Sequence, residues 1–291
     1  ARGFNQQRTN TIGMVLPSIK NPYYAEMYAD VRTLAEEKGY TLMLFSRPTT
    51  HPIDEELVRS VRERRMEGLI INDELFPPER AAENERLLSL LRKSMPVVLL
   101  GCMQLSLPCP AITIDLKQCM KLSMDYLISL GHERIAYIGG NDDRDVPGSR
   151  DEGYALALKE AMLPYIAEYR VFGECTADDG YQMTSELLSN LVPSQWPTAV
   201  VAANDLVAMG AMHAFEEKRL RVPEDISLIG CDDQFFAPHL SPPLTSVNTH
   251  GLDAGRLALD MLLSGDTPRD RVVIPCEMAL RGSCARRDRQ T

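Results

Sequence analysis

Short apolar runs alternate along this chain with segments whose apolar residues recur three and four positions apart. Residues 12–16 form the first run, ended by Pro17. Asn21 can cap a following helix, and Pro22 suits the first helical position, where no backbone N–H is needed. Tyr24, Met27, Tyr28, Val31, Leu34 and Ala35 then recur at helical spacing, with Gly39 where a stop belongs. The alternation predicts strands at 40–45, 69–71, 97–100 and 112–114. Helices fall between them at 57–66, stopped by Gly68, and around 87–91.

The rhythm then restarts. A helix around Met120, Met124, Leu127 and Ile128 is stopped by Gly131, followed by a strand at 135–138 and a helix reaching Met162. Strands at 170–172, 199–202 and 228–230 are separated by helices near 181–191 and 206–218. A late helix carries Ala254, Leu257, Ala258, Met261 and Leu262, and 272–274 is the final predicted strand. Uninterrupted apolar strands separated by amphipathic helices predict parallel sheets covered on both faces. Two such series in tandem predict an α/β chain of two doubly wound lobes. Ligands of such sheets bind beyond the carboxyl ends of the strands.

Composition narrows the function. The 291 residues are 44% hydrophobic and 25% charged, an ordinary globular balance with enough chain for two cores. With 31 basic and 41 acidic residues the net charge is −10, a surface that repels a nucleic-acid backbone. The chain has neither a bilayer-length apolar run nor an apolar leader, so no membrane partner is expected. Seven scattered cysteines without a Cys-x-x-Cys pair read as reduced, cytoplasmic usage.

Catalytic and cofactor signatures are missing. There is no glycine-rich phosphate loop, no nucleophile elbow and no zinc helix, so neither an enzyme nor a cofactor is expected. The five histidines are dispersed, and the acidic stretch Asn141-Asp142-Asp143-Arg144-Asp145 lacks the glycine and terminal glutamate of a calcium loop, so no metal is expected.

Six segments carry a resemblance. They are Thr11-Ile12-Gly13-Met14-Val15-Leu16-Pro17 with Asn21-Pro22-Tyr23-Tyr24, then 131–140 (Gly-His-Glu-Arg-Ile-Ala-Tyr-Ile-Gly-Gly) with Arg150 and Gly153-Tyr154, then 203–210 (Ala-Asn-Asp-Leu-Val-Ala-Met-Gly). The series 222–233 (Val-Pro-Glu-Asp-Ile-Ser-Leu-Ile-Gly-Cys-Asp-Asp), 243–247 (Pro-Leu-Thr-Ser-Val) and Arg281-Gly282-Ser283 completes the set. Together, in this order, they resemble the LacI/GalR family of bacterial transcription regulators.

The resemblance implies a periplasmic-binding-protein-like fold whose two lobes are joined by three crossovers, near Asp115, Asn248–Thr249 and 272–274. The implied division is a hinge remnant at 1–11, an N-terminal lobe of 12–115 plus 249–272, and a C-terminal lobe of 116–248 plus 273–291. It also implies a helix-turn-helix headpiece, absent from this chain, through which a homodimer or a tetramer binds operator DNA. Phe4 would be the wedge of a hinge helix in the minor groove; a disordered tail is the plainer reading of the same residues.

Candidate ligand-binding residues follow. Arg150 matches the family's effector-binding arginine, and a guanidinium can hold vicinal hydroxyls or a carboxylate; the alternative is a surface pair with Asp151 or Glu152. Asn204 ends a strand and either binds ligand or caps the next helix, and Asp205 can take the capping role and leave Asn204 free. Asp232 is placed to accept sugar hydroxyls, whereas Asp233 reads as structural. Tyr23 offers a ring face to ligand, Tyr24 fits the helix's apolar stripe equally well, and Asn72 is a polar residue at another strand end. Two departures, Cys175 where members carry an aromatic ring and Gly101 where many carry an acid, remove groups that would hold a simple hexose.

The expectation is therefore the effector-binding and dimerisation core of a repressor responding to a small polar molecule, a sugar or sugar derivative. A transporter's solute-binding protein of the same fold is the alternative, and an enzyme on a doubly wound scaffold the remoter one.

Overall fold

The computed structural model describes residues 9–102, 107–141, 144–264 and 271–287. The chain divides into two compact units: one runs to Ile114 and resumes at Gly251–Ile274, and the other comprises Asp115–His250 and the chain from Pro275. The chain thus passes three times from one unit to the other.

The first unit holds β1 (Thr11–Leu16), β2 (Thr41–Ser46), β3 (Gly68–Asn72), β4 (Val97–Gly101), β5 (Ala111–Ile114) and β11 (Val272–Ile274). Their order is β11-β5-β4-β3-β1-β2, and every pairing is parallel. Alternate residues serve opposite faces. Ile12, Met14, Leu16 and Ile70 pack under α1 (Pro22–Glu37) and α8 (Gly251–Ser264), while Val15, Leu69 and Ile71 pack under α2 (Glu55–Glu63) and α3 (Ala81–Arg92). Both faces are covered, which is why these strands read as unbroken apolar runs. The start of α1 is as expected: the Tyr23 N–H donates to Asn21 Oδ1 at 3.0 Å, and Pro22 takes the first helical position.

The second unit repeats the plan with β6 (Ile135–Gly140), β7 (Arg170–Gly173), β8 (Ala199–Ala202), β9 (Ser227–Cys231), β10 (Thr245–Asn248) and β12 (Glu277–Ala279), ordered β12-β10-β9-β8-β6-β7. Helices α6 (Ala177–Ser189) and α7 (Asp205–Glu217) cover one face, over Ile138, Val200 and Leu228. Helices α4 (Leu116–Ser129) and α5 (Arg150–Glu160) cover the other, over Tyr137, Val201 and Ile229.

Helices α6 and α7 approach through glycine. A Cβ on Gly210 would lie 2.6 Å from the Tyr181 backbone nitrogen and one on Gly180 2.7 Å from Val207 Cα, and backbone cannot swing aside as a side chain can. Gly210→Ala should therefore cost about 2 kcal/mol despite alanine's better helix propensity. A thermal melt followed by circular dichroism should show a midpoint lower by about 5 °C.

Four expectations are corrected. The strand at 272–274 is not the last: β12 follows it and pairs antiparallel with β10, so the second sheet is not wholly parallel. β10 escapes a hydropathy reading because Thr245 and Ser246 lie in it, buried, with both hydroxyls engaged in hydrogen bonds. The turn after α2 uses Arg65, at φ +51°, and Gly68 instead opens β3, where the Leu262 side chain leaves no room for a Cβ. Finally, the thiols are not all free: Cys119 and Cys276 are joined in a disulfide, Cα to Cα 5.9 Å. No helix among the described residues is long and apolar enough to cross a membrane.

Candidate functional site

In the second unit, polar side chains gather where β8, β9 and β10 end. Ser149 caps α5, its hydroxyl accepting the Glu152 N–H at 3.3 Å, and this places Arg150 in the first turn. The Arg150 guanidinium is in hydrogen-bonding reach of the Cys231 thiol and near enough to Asp232 for its charge to act on that carboxyl. Asp232 follows β9 with φ at +98°, a left-handed conformation that is strained for any residue but glycine and common at functional sites. Its N–H donates to the Val247 carbonyl at 2.8 Å, so the sheet itself fixes the strained residue. Burial pushes the Asp232 carboxyl up to about 6, while Arg150 pulls it down.

Behind this pair stands a carboxyl that sequence reading did not select. Asp205, fully buried, accepts the Ser246 hydroxyl at 2.6 Å and the Gln234 N–H at 2.7 Å. Burial, with the nearby Asp232 charge adding to it, pushes Asp205 up to about 8. It is therefore not the cap of α7. Asn204 is: its Oδ1 accepts the Val207 N–H at 2.8 Å, and its Nδ2 donates to the Cys175 carbonyl at 3.2 Å. A carboxamide offers two N–H groups and two lone pairs, so one of each stays available for a ligand. Asp233 is structural as expected, its carboxylate taken by Arg281 at 2.6 Å and its N–H by Ser246 at 3.0 Å. The motif Arg281-Gly282-Ser283 thereby acquires a purpose: Ser283 accepts the Thr245 N–H and donates to the Leu228 carbonyl, clamping β9 and β10 below the turn that carries Asp232.

The first unit ends in a comparable group. Tyr24 is buried, and its hydroxyl donates to Glu74 Oε1 at 2.9 Å; burial and that carboxylate hold its proton well above the usual tyrosine range. Tyr23 is half-buried, edge-on to Tyr24 with centroids 5.1 Å apart, its ring packed over Gly251. Asn72 is buried and its Oδ1 caps a short turn by accepting the Glu74 N–H at 2.9 Å. Tyr24 and Asn72 thus both meet at Glu74. Gly101 does not leave its strand end without an acid. The Asp73 carboxylate accepts the Cys102 N–H at 3.1 Å and occupies the space in which a residue-101 side chain would begin.

The two units use the same combination. Asn-Asp stands at the end of β3, with Asp73 just beyond it, and again follows β8; Gly-Cys stands at the end of β4, with Cys102 just beyond it, and closes β9, with the buried aspartate seated over the neighbouring strand's glycine each time. Since β3 and β4 stand in the first sheet where β8 and β9 stand in the second, Asp73 and Asp205 are counterparts.

Phe4 lies outside the described residues. No group of three or more histidine, cysteine or acidic side chains among the described residues is placed to hold a metal ion.

A family model described as a periplasmic binding protein-like domain matches residues 124–284. The HTH-type transcriptional repressor PurR of Photorhabdus laumondii is 33% identical over 266 residues, 90% of this chain and 75% of that protein. The ribose operon repressor of Escherichia coli (strain K12) is 30% identical over 264 residues, covering 90% and 77%. Among solved structures, a transcriptional regulator CelR–cellobiose complex superposes with a TM-score of 0.77 at 28% identity, over 95% of this chain and 85% of that one.

Proposed function

The chain belongs to the LacI/GalR family of transcription regulators, and on that premise we propose that it binds a small polar effector, a sugar or sugar derivative, at the strand ends of its two units. In this proposal Arg150, Asn204 and Asp232 serve the ligand from the second unit, and Tyr23, Tyr24 and Asn72 from the first. Binding changes the angle between the lobes of a cytoplasmic homodimer and so alters operator affinity, with DNA contact made through a helix-turn-helix headpiece. Coupling of about 1–3 kcal/mol between the two sites is the usual scale of such control. The division into lobes follows the units described above, and the chain carries out no reaction of its own.

The observation that carries the reading is the Arg150–Asp232 pair. A guanidinium near enough to act electrostatically on a carboxyl at the same strand end offers donors and acceptors together, which matches the alternating demands of adjacent sugar hydroxyls. The solute-binding-protein alternative is set aside, because the relatives named above are repressors.

The test is a thermal-shift panel of pentoses, disaccharides, sugar phosphates, sugar acids and nucleobases. The last class is included because Cys175 and Gly101 stand where the family resemblance implies an aromatic ring and an acid, the groups that would hold a simple hexose. A ligand at about 100 times its Kd adds roughly 2.7 kcal/mol, on the order of 5–10 °C for a chain of this size. A folded protein that no member of the panel shifts would count against a sugar-type effector.

A further inference from the structure

The disulfide stands where two connecting segments leave the first unit. In the first unit Ile114, the last residue of β5, is paired in register with Ile274, the last of β11. Asp115 and Pro275 are the next residues on the two segments, and both belong to the second unit. Asp115 caps α4, its Oδ1 accepting the Gln118 N–H at 3.0 Å and its carbonyl the Cys119 N–H at 2.9 Å. Cys276 lies 3.7 Å from that same carbonyl, and its sulfur is bonded to Cys119. Between the Ile114–Ile274 rung and the sulfur bridge lie four residues on one segment and a single proline on the other. The remaining connection, at Asn248–His250, is joined to the third through the β10–β12 pairing of Asn248 with Glu277, and His250 lies 3.6 Å from the Glu277 carboxylate. One covalent bond therefore completes the tying together of all three connecting segments.

We propose that Cys119 and Cys276 are a reversible thiol–disulfide site, oxidised by a low-molecular-weight disulfide of the glutathione type, that sets the stiffness of the first and third connections. The inference rests on the reading that effector binding changes the angle between lobes, because a change of angle must be taken up in the backbone of these segments. The two cysteines differ in a way that assigns their roles: Cys276 is half-buried and Cys119 only 1% exposed. The Cys276 thiolate attacks one sulfur of the external disulfide, forming a mixed disulfide and expelling one thiolate, which takes up the proton lost from Cys276. Cys119 then attacks the Cys276 sulfur, and its proton leaves with the second thiol. Two cysteine thiols are oxidised and one external disulfide is reduced to two thiols. The other thiols are unsuited to the exchange where burial raises them, Cys109 and Cys231 up to about 12 and Cys284 up to about 11.

The test equilibrates the chain in mixtures of reduced and oxidised glutathione, then counts thiols after unfolding and maps amide hydrogen exchange. Five of the seven thiols should remain after oxidation and all seven after reduction, with the 119–276 crosslink found by peptide mapping. Amides of residues 115–119 and 276–279 should exchange at least about tenfold more slowly in the oxidised wild type, while Cys276→Ser and Cys119→Ser show no dependence on the mixture. Two variants are used because serine at the buried position 119 can disturb folding, whereas at half-buried position 276 its hydroxyl can reach water. A pair that does not form, a bond that excess glutathione cannot reduce in the folded protein, or exchange that is equal in both states would each overturn the proposal. None of these readouts needs a ligand, so a silent effector panel would count against the function proposed above and leave this result standing.

Discussion

Replacing Arg150 by alanine will weaken the best ligand from the thermal-shift panel by about a hundredfold or more. Hydrogen bonds to a charged group contribute about 1.5–3 kcal/mol each, and every 1.4 kcal/mol is a factor of ten in Kd. Arginine is suited to two such bonds at once, so loss of both reaches or exceeds a hundredfold. The substitution also removes a cation that holds the Asp232 carboxyl down, and Asp232 will rise further toward the neutral form. Arg150→Lys separates these effects: it restores a positive charge beside Asp232 but not the planar fork, so it should recover stability and leave most of the affinity lost. Isothermal titration with the panel's ligand measures both variants. A folded Arg150→Ala protein that binds as tightly as wild type would place the pocket elsewhere.

The sequence is most legible where one physical demand dominates. Strands buried on both faces must be apolar throughout, so β1, β3, β4, β6 and β8 stand out from hydropathy alone, and Asn21-Pro22 announces the start of α1 through capping chemistry. Legibility fails where a buried position is polar because a tertiary partner satisfies it. Thr245 and Ser246 lie in a buried strand only because Arg281 and Asp205 meet their hydroxyls, and those partners are 36 and 41 residues away. The same cause hides the cap of α7 from the sequence. Asn and Asp cap equally well, and only the fold reveals that Asp205 is needed by Gln234 and Ser246 and so leaves the cap to Asn204. Glycine at a strand end carries a second signal. Gly101 suggested a missing acid, yet it is the empty Cβ position that admits Asp73, as Gly230 admits Asp205. A glycine at the end of a buried strand, beside a strand that ends in Asn-Asp, is the pattern that would have found both carboxyls. The disulfide had no sequence signal, since 156 residues separate its cysteines and only the adjacency of β5 and β11 brings the segments together.

Asp205 makes stability fall as pH rises from neutral to mildly alkaline, and Asp205→Asn will remove that slope. In the unfolded chain this carboxyl titrates near 3.8; in the folded protein burial pushes it up to about 8. Between these values the folded protein holds a proton that the unfolded chain has released. The contribution is fully present below the unfolded pKa and is lost as pH rises through the folded one. Other groups act in different windows. Asp232, raised to about 6, changes stability in the same sense but is largely spent above pH 6.5. His132, lowered by burial and held between Thr198 and the Ala285 carbonyl, favours folding as pH rises, but only up to about the unfolded value of 6.5. Asp225, depressed to about 2, is ionised throughout. Between pH 6.5 and 8 Asp205 is therefore the dominant carboxyl, and the linkage relation gives a loss of about 1.5 kcal/mol over that interval. Asparagine keeps the neutral charge of the acid: its oxygen can accept the Ser246 hydroxyl and it cannot ionise, while the lost acceptor for the Gln234 N–H lowers stability equally at both pH values and leaves the slope unaffected. Urea unfolding of wild type and Asp205→Asn at pH 6.5 and pH 8 should show the loss in the first and a flat response in the second. An equal slope in both proteins would mean that the titrating group lies elsewhere and that Asp205 is already ionised beside Asp232.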